Sequence, residues 1–517
     1  MWGKVFVAAF VVFLTTRILR FRANLKTVGN LPGLRSIFNP FSLPGAITPT
    51  FYLNAGLNWH WLWRRSIYKY YGKQTISCVP VLHGAPTVYT ISQDVAKQIL
   101  TAGRGFFKSP ESTAALMLWG DNVVSSNYDA YKKHRRIVGP AFTGATYAFV
   151  AKETVHLYYE MVDGEDWSQK QVVIIDSINR YLSKFALGIV TRCGFGLPFT
   201  WVASTEEADE LSFDKALAIV SEGAVTRLAT PGWAYKLPME KLHELDNAYR
   251  QLSAFMSSFV TNKKEELSSS ADPVEGAGSD LFTRLVTASE AEGKDGLAES
   301  ELIGNIFTFM FAGHETTAHT LAATVAMLAL HEKEQDDVYK HIQEVLPNGR
   351  DPTFEDYARL DKVLACFQES ARLFPAGFVV TRDTTETVTL KIPPEDGGGT
   401  LVLPPGVRII IDMIGLHYNP NLFQDPERFD PSRWLGIAES ELSFFGLGPR
   451  ACLGRKFAMT EAVCFLTLLV RDWELGVSLG EGESKAQWRE RVMQGRMLGL
   501  TFGVPNIPVR LRRRRAT

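Results

Sequence analysis

Phe445-Gly-Leu-Gly-Pro-Arg450-Ala-Cys452-Leu-Gly454 is the stretch of this 517-residue chain on which the fold reading turns. Its cysteine has a Gly-rich approach, an arginine two residues before it and a glycine two residues after it, and an apolar, helix-like run from Arg455 to Leu469 follows. Glycines let the backbone come close to a large flat ligand and aim N–H groups at sulfur. A thiolate near a cation and a helix N-terminus has a lowered pKa and makes a strong axial metal ligand. The plainer reading is a turn around a buried structural cysteine. From ordinary residue frequencies, F-x-x-G-x-R-x-C-x-G arises by chance on the order of 10⁻⁴ times in a chain of this length, so the metal-binding reading is preferred.

Working outward, Leu302 to Leu330 is the longest helical run, and its middle reads Ala312-Gly313-His314-Glu315-Thr316. Glycine inside a helix costs about 1 kcal/mol relative to alanine, and a glutamate is expensive to bury unpaired. Thr316 can hydrogen-bond back to the carbonyl of Ala312 and loosen the helix there. A small residue beside an acid would then make room for a diatomic ligand, water and protons. The rival is a helix with a tolerated glycine and an exposed Glu/Thr face. His314 and His319 read as packed or exposed side chains, since neither has partners at metal-site spacing.

Asp361 to Phe374 is helical, with Glu369 and Arg372 three apart on one face. A later Pro431-Ser432-Arg433-Trp434 offers a second arginine, and Pro426-Glu427-Arg428-Phe429 is a decoy of the same pattern. Tyr131-Lys-Lys-His134-Arg135-Arg136 is a basic run on a short helix, ordinarily only a solvated face.

These motifs, in this order, resemble those of the cytochrome P-450 haem-thiolate monooxygenases, and the likeness spans essentially the whole chain. The resemblance implies a mainly α fold with a smaller β region and haem b, with Cys452 as the axial iron ligand. It places Phe445 beside the sulfur, Gly446 and Gly454 in the haem loop, and Arg135, Arg382 and Arg450 at the haem propionates. Tyr131 stands where the family has tryptophan, and a phenol can still donate a hydrogen bond. Ala312, Gly313, Glu315 and Thr316 match the oxygen-activation motif, which makes Thr316 a hydrogen-bond donor to the oxygen and Glu315 part of a proton relay. Glu369, Arg372 and Arg433 match the triad that braces the haem cradle. Pocket candidates are Phe106, Phe107, Met117, Thr308, Phe378, Val379 and Met497. The implied reaction inserts one atom of O2 into a lipophilic molecule, a terpenoid by likeness to fungal microsomal members that tailor natural products. Electrons come from NADPH through a flavoprotein reductase, for which Lys132, Lys133 and Arg136 offer a basic docking surface. The alternatives are a haem-thiolate isomerase or dehydratase working without O2, and a non-catalytic haem carrier.

Val5 to Leu14 is uninterrupted apolar sequence, and Val5–Leu19 as a helix would span roughly 22 Å against ~30 Å of hydrocarbon. Arg17, Arg20, Arg22 and Lys26 follow, an excess that holds the downstream side in the cytosol. Residues 1–22 are read as a single-pass anchor in the endoplasmic-reticulum membrane, 23–50 as a proline-rich hinge, and 51–517 as the catalytic domain facing the cytosol. His83, between two strand-like runs, reads as an exposed turn residue. The 194–210 and 268–278 stretches read as irregular segments. A formal net charge of −1 gives no reason to expect nucleic acid. Five scattered cysteines argue against a disulfide framework and for a reducing compartment.

Overall fold

The computed structural model describes residues 2–202, 213–269 and 280–514. Much of the 194–210 and 268–278 segments lies outside the described residues, so their loop reading stands as an expectation. The chain forms two compact units, each assembled from separated pieces of sequence.

The first unit takes Met1–Ser109, Gly377–Arg428 and Ser440–Ala451. It opens with helix α1, Trp2–Thr27, which buries no residue completely. At 26 residues it reaches roughly 39 Å, more than the apolar stretch alone suggested, and it is long and apolar enough to cross a membrane. The helix continues past residue 22 because Phe21 and Leu25 on its last turns pack against the core of this unit. The proline-rich segment after it is more than a spacer. Its strand β1 (Gly33–Leu34) pairs in parallel with β2 (Thr75–Cys78). A Cβ on Gly33 would lie 2.0 Å from the Ser77 carbonyl oxygen, so only glycine fits.

β3 (Thr87–Thr90) pairs antiparallel with β2, the hairpin expected from the alternation around His83. With β4 (Phe106–Phe107), β5 (Val379–Thr384) and β6 (Arg408–Asp412), these build one six-stranded sheet in the order β1-β2-β3-β6-β5-β4. Every residue of β2 and β3 is buried. The aromatic run 59–71 forms two short helices, Trp59–Leu62 and Ile67–Tyr71.

The second unit takes Pro110–Ala376, Phe429–Glu439 and Cys452–Thr517. Its helices include α2 (Tyr128–Val138), α3 (Gly144–Gly164), α4 (Ile178–Ile189), α5 (Phe213–Ala229), α6 (Glu299–Leu330), α7 (Asp361–Leu373) and α8 (Arg455–Asp472). α6 is apolar nearly all round, and packs against α4, α7 and α8; a helix without a polar face belongs in a core. Ala318, Ala322, Ala323 and Ala326 are all within 3 % of full burial and keep its neighbours close. α8 lies against α3 and α7. A three-stranded sheet (Trp473–Val477, Val509–Arg513, Val172–Ile175) and a hairpin (Arg496–Leu498 with Thr501–Gly503) complete the unit. Helix predominates, as the sequence indicates.

Candidate active site

Within the second unit, Cys452 sits three residues before α8 begins, and it is exposed while Cys78, Cys193, Cys366 and Cys464 are free and buried. Surface accessibility and a strong desolvation of the thiol agree if the sulfur lies in a narrow recess. Burial raises its pKa above the ordinary thiol value, opposed by N–H groups of Gly454 and Arg455 and by the charges of Arg455 and Arg135. That donor set, two backbone N–H groups and two guanidiniums around one sulfur, is suited to a thiolate held by a metal cation.

α6 carries a ladder of hydroxyls. Thr316 Oγ1 donates to Ala312 O at 2.7 Å and Thr317 Oγ1 to Gly313 O at 3.0 Å. The helix nevertheless runs uninterrupted through this point. A Cβ on Gly313 would meet Val190 Cγ2, in the turn that continues α4, at 2.9 Å. The glycine therefore lets α4 and α6 pack closely at this point. Glu315 accepts a hydrogen bond from Thr501 Oγ1 at 3.2 Å. Burial pushes its pKa up to about 7, the Thr501 hydrogen bond acts downward, and Glu222 on α5 adds a smaller upward push. At neutral pH this carboxyl is poised between acid and base. His314 Nδ1 donates to Met310 O at 2.7 Å, and burial lowers the pKa of both His314 and His319, the latter to about 4; both are packed side chains.

Glu369 and Arg372 are both fully buried on α7. Arg372 donates Nε to Glu369 Oε2 and Nη2 to Oε1, each at 2.8 Å. Arg433 approaches the same carboxylate at 3.5 Å, so the second guanidinium is the looser of the two. Trp434 Nε1 and the Asp430 backbone N–H, which sequence reasoning missed, donate to it at 2.9 and 3.0 Å. The decoy segment goes elsewhere: Glu427 pairs with Arg64 and Arg65 in the first unit.

α2 carries Tyr131 and Arg135. The neighbouring basic residues are engaged within the unit, Lys132 with Asp129, Lys133 with Glu301 and Arg136 with Glu292, each at 2.9 Å. The expected basic docking surface is thus already paired with carboxylates, which weakens it as a landing site for an acidic partner. Met117, Thr308 and Met497 fall in this unit as well. Thr308 is 1 % exposed on α6 and its hydroxyl is enclosed.

In the first unit, β4 presents Phe106 and Phe107, which pair with Thr384 and Asp383 of β5. Phe378 is buried just before β5, and Val379 begins it. Arg382 is buried, with Nη1 on Thr381 O at 2.7 Å. Gly446 and Gly448 take φ of 77° and 70°, left-handed values that the loop after Phe445 requires. Lys108, one residue beyond β4, is the residue that sequence reading passed over. Burial, followed by repulsion from Arg382 and Arg450, holds its pKa well below the ordinary ammonium value. Three cations lie near one another here, a place that the carboxylates of a haem would suit; a lysine directly after two strand phenylalanines was the signal in the sequence.

A thiolate-supporting loop ahead of one buried helix, a poised acid with neighbouring hydroxyls on another, and a mainly helical fold define an oxygen-handling haem-thiolate protein. The chain belongs to the cytochrome P450 family, whose model matches residues 58–496. Cytochrome P450 monooxygenase 124 of Postia placenta is 32% identical over 486 residues, covering 91% of each chain. Cyclooctat-9-en-7-ol 5-monooxygenase of Streptomyces melanosporofaciens is 31% identical over 395 residues, covering 74% of this chain and 78% of that one. The crystal structure of the cytochrome P450DA heme domain shares the fold, with a TM-score of 0.71 at 21% identity over 89% of this chain and 93% of that one. The protein is accordingly a haem-thiolate oxidoreductase.

Proposed function

We propose that this monooxygenase inserts oxygen into a lipophilic polycyclic molecule of terpenoid type, with electrons from NADPH through a flavoprotein reductase. The apolar pocket candidates and the alcohol named as the substrate of the Streptomyces relative support this choice. The observation that carries the reading is Cys452, the exposed one of five cysteines, with N–H groups of Gly454 and Arg455 directed at its sulfur.

The haem, once bound, supplies the O–O cleavage that the electron-rich thiolate favours. In the second unit, Cys452 would ligate the iron and Arg135, with Tyr131 nearby, would face a propionate. In the first unit, Lys108, Arg382 and Arg450 supply cations suited to carboxylates. Phe445 and Gly446 on the first unit's side and Gly454 on the second's are the loop residues that the family likeness assigns to the haem. Glu315, half-protonated near neutral pH, holds and passes a proton, and Thr316 is the hydroxyl next to it in sequence. Gly313 and Ala312 allow that helix its packing and its carbonyl acceptor. Glu369, Arg372 and Arg433 brace the fold. Phe106, Phe107, Phe378 and Val379 in the first unit, and Met117, Thr308 and Met497 in the second, are the candidates to contact substrate.

α1 fits a single-pass anchor. The reading of residues 1–22 as anchor, 23–50 as hinge and 51–517 as catalytic domain, in the endoplasmic-reticulum membrane facing the cytosol, rests on the basic residues that follow the apolar stretch. Reconstitution with a reductase and NADPH, followed by product analysis on polycyclic terpene alcohols, tests the substrate class; turnover without NADPH would favour an isomerase. Cys452→Ser should abolish the thiolate band in the reduced carbon monoxide spectrum, and an unchanged spectrum would refute the ligand assignment.

A further inference from the structure

Arg17, Arg20, Phe21 and Asn24 follow the i, i+3, i+4, i+7 spacing of one helix face. On α1 that face borders a cavity of about 360 Å³, closed on its other side by the 80–86 loop with Val81, Leu82 and His83. Phe21 and Leu25 pack against the core of the first unit and hold the face in this register. Neither Arg17 nor Arg20 has a carboxylate partner among the described residues, and the Arg17 guanidinium lies 5.3 Å from the ring centre of Phe13. Opposite them, His83 is exposed, as the sequence reading expected, and Val81 and Leu82 are 43 % and 38 % exposed.

Position along the helix selects the ligand. From Trp2, Arg17 and Arg20 stand roughly 22 and 27 Å along the axis, at the depth where a bilayer passes from hydrocarbon to head groups. Two guanidiniums and an amide at that depth, beside exposed aliphatic side chains, match a phosphate with acyl chains attached. A free phosphate would gain nothing from Val81 and Leu82.

We propose that the recess between the end of α1 and the 80–86 loop binds the head group of one anionic phospholipid. Arg17 and Arg20 pair with its phosphate, Asn24 and His83 donate hydrogen bonds, and Val81 and Leu82 lie along its acyl chains. The site goes beyond the oxygenase reading and rests on α1 lying in a bilayer.

The test uses the full-length haem-loaded protein in mild detergent, offered phosphatidic acid, phosphatidylcholine or inorganic phosphate and weighed by native mass spectrometry. One phosphatidic acid retained per chain is expected. Each interfacial charge is worth about fivefold, so the Arg17→Gln/Arg20→Gln double variant should retain it about thirtyfold less well. His83→Gln should weaken it less, and both variants should keep the haem spectrum of the parent. Equal retention of phosphatidylcholine, displacement by inorganic phosphate alone, or unchanged retention in the double variant would overturn the site. Flotation of the same proteins on phosphatidylcholine vesicles reports the anchor separately: if the parent does not float, it is α1's membrane role that fails.

Discussion

Glu369 and Glu315 are both enclosed carboxyls in the helical unit, and their surroundings differ in one respect. Glu369 receives two bonds from Arg372, one from Trp434, one from the Asp430 backbone and the looser approach of Arg433. Glu315 receives one, from Thr501. A carboxylate surrounded by donors is held rigid, whereas Glu315, with one donor and its pKa raised by burial to about 7, can exchange its proton near neutral pH. Glu461 on α8 marks the far end of the series: fully buried, neither oxygen with a hydrogen-bond partner among the described residues, its pKa raised well above the carboxylate range by burial. The number of donors separates the three, in keeping with the roles proposed for Glu369 as brace and Glu315 as relay.

The strongest way to break this ordering is Glu369→Ala. It leaves the Arg372 guanidinium buried without its carboxylate, and should cost about 3–5 kcal/mol in urea unfolding with loss of haem uptake. A variant as stable as the parent would remove Glu369 from the role of brace. Glu315→Gln should instead keep the fold and lower turnover by at least about 10²-fold. The parent's turnover should fall as pH rises through about 7, as the proton on Glu315 is lost, and that limb should vanish in the variant. Stability gives a second reading. The folded-state pKa lies above the unfolded value, so the native protein binds more protons than the unfolded chain between about 4.5 and 7, and its stability falls with rising pH across that window. The glutamine variant lacks this fall, and so should gain on the parent as pH is raised.

A finer test removes only the donor. Thr501 also donates to Leu498 O, at 3.0 Å, so its single hydroxyl hydrogen has two acceptors. With Thr501→Val the Glu315 carboxylate loses its hydrogen bond, and the alkaline limb of turnover should move upward by about one pH unit. An unmoved limb would mean that Leu498 keeps the hydrogen. Smallest is Glu461→Gln, which exchanges one neutral group for another of similar size. Its stability should change by less than about 1 kcal/mol, with the same pH dependence as the parent; a large stabilisation would show that Glu461 is ionised in the parent.

Much of this was legible in the chain. The Cys452 loop, the Glu369/Arg372 spacing, Arg433 with its decoy and the Thr316–Ala312 bond are local patterns or short-range consequences of helix geometry, and the structure has each where the spacing implied. Gly313 was legible as unusual but its reason was not, since that reason is Val190 from another helix. Lys108 escaped notice because its meaning depends on Arg382 and Arg450, which lie more than 270 residues away in sequence.

By itself the sequence determined the family, the sulfur proposed as metal ligand, the helical character and the apolar leader, because these follow from residue type at fixed local spacing. Only the tertiary structure decided how protonated Glu315 is, which donors surround Glu369, which cations crowd Lys108, and that His83 faces Arg17 and Arg20. Each of these depends on burial and on charges brought together from distant stretches. Desolvation and Coulomb energies follow distance through the folded protein, and separation along the chain does not reveal it.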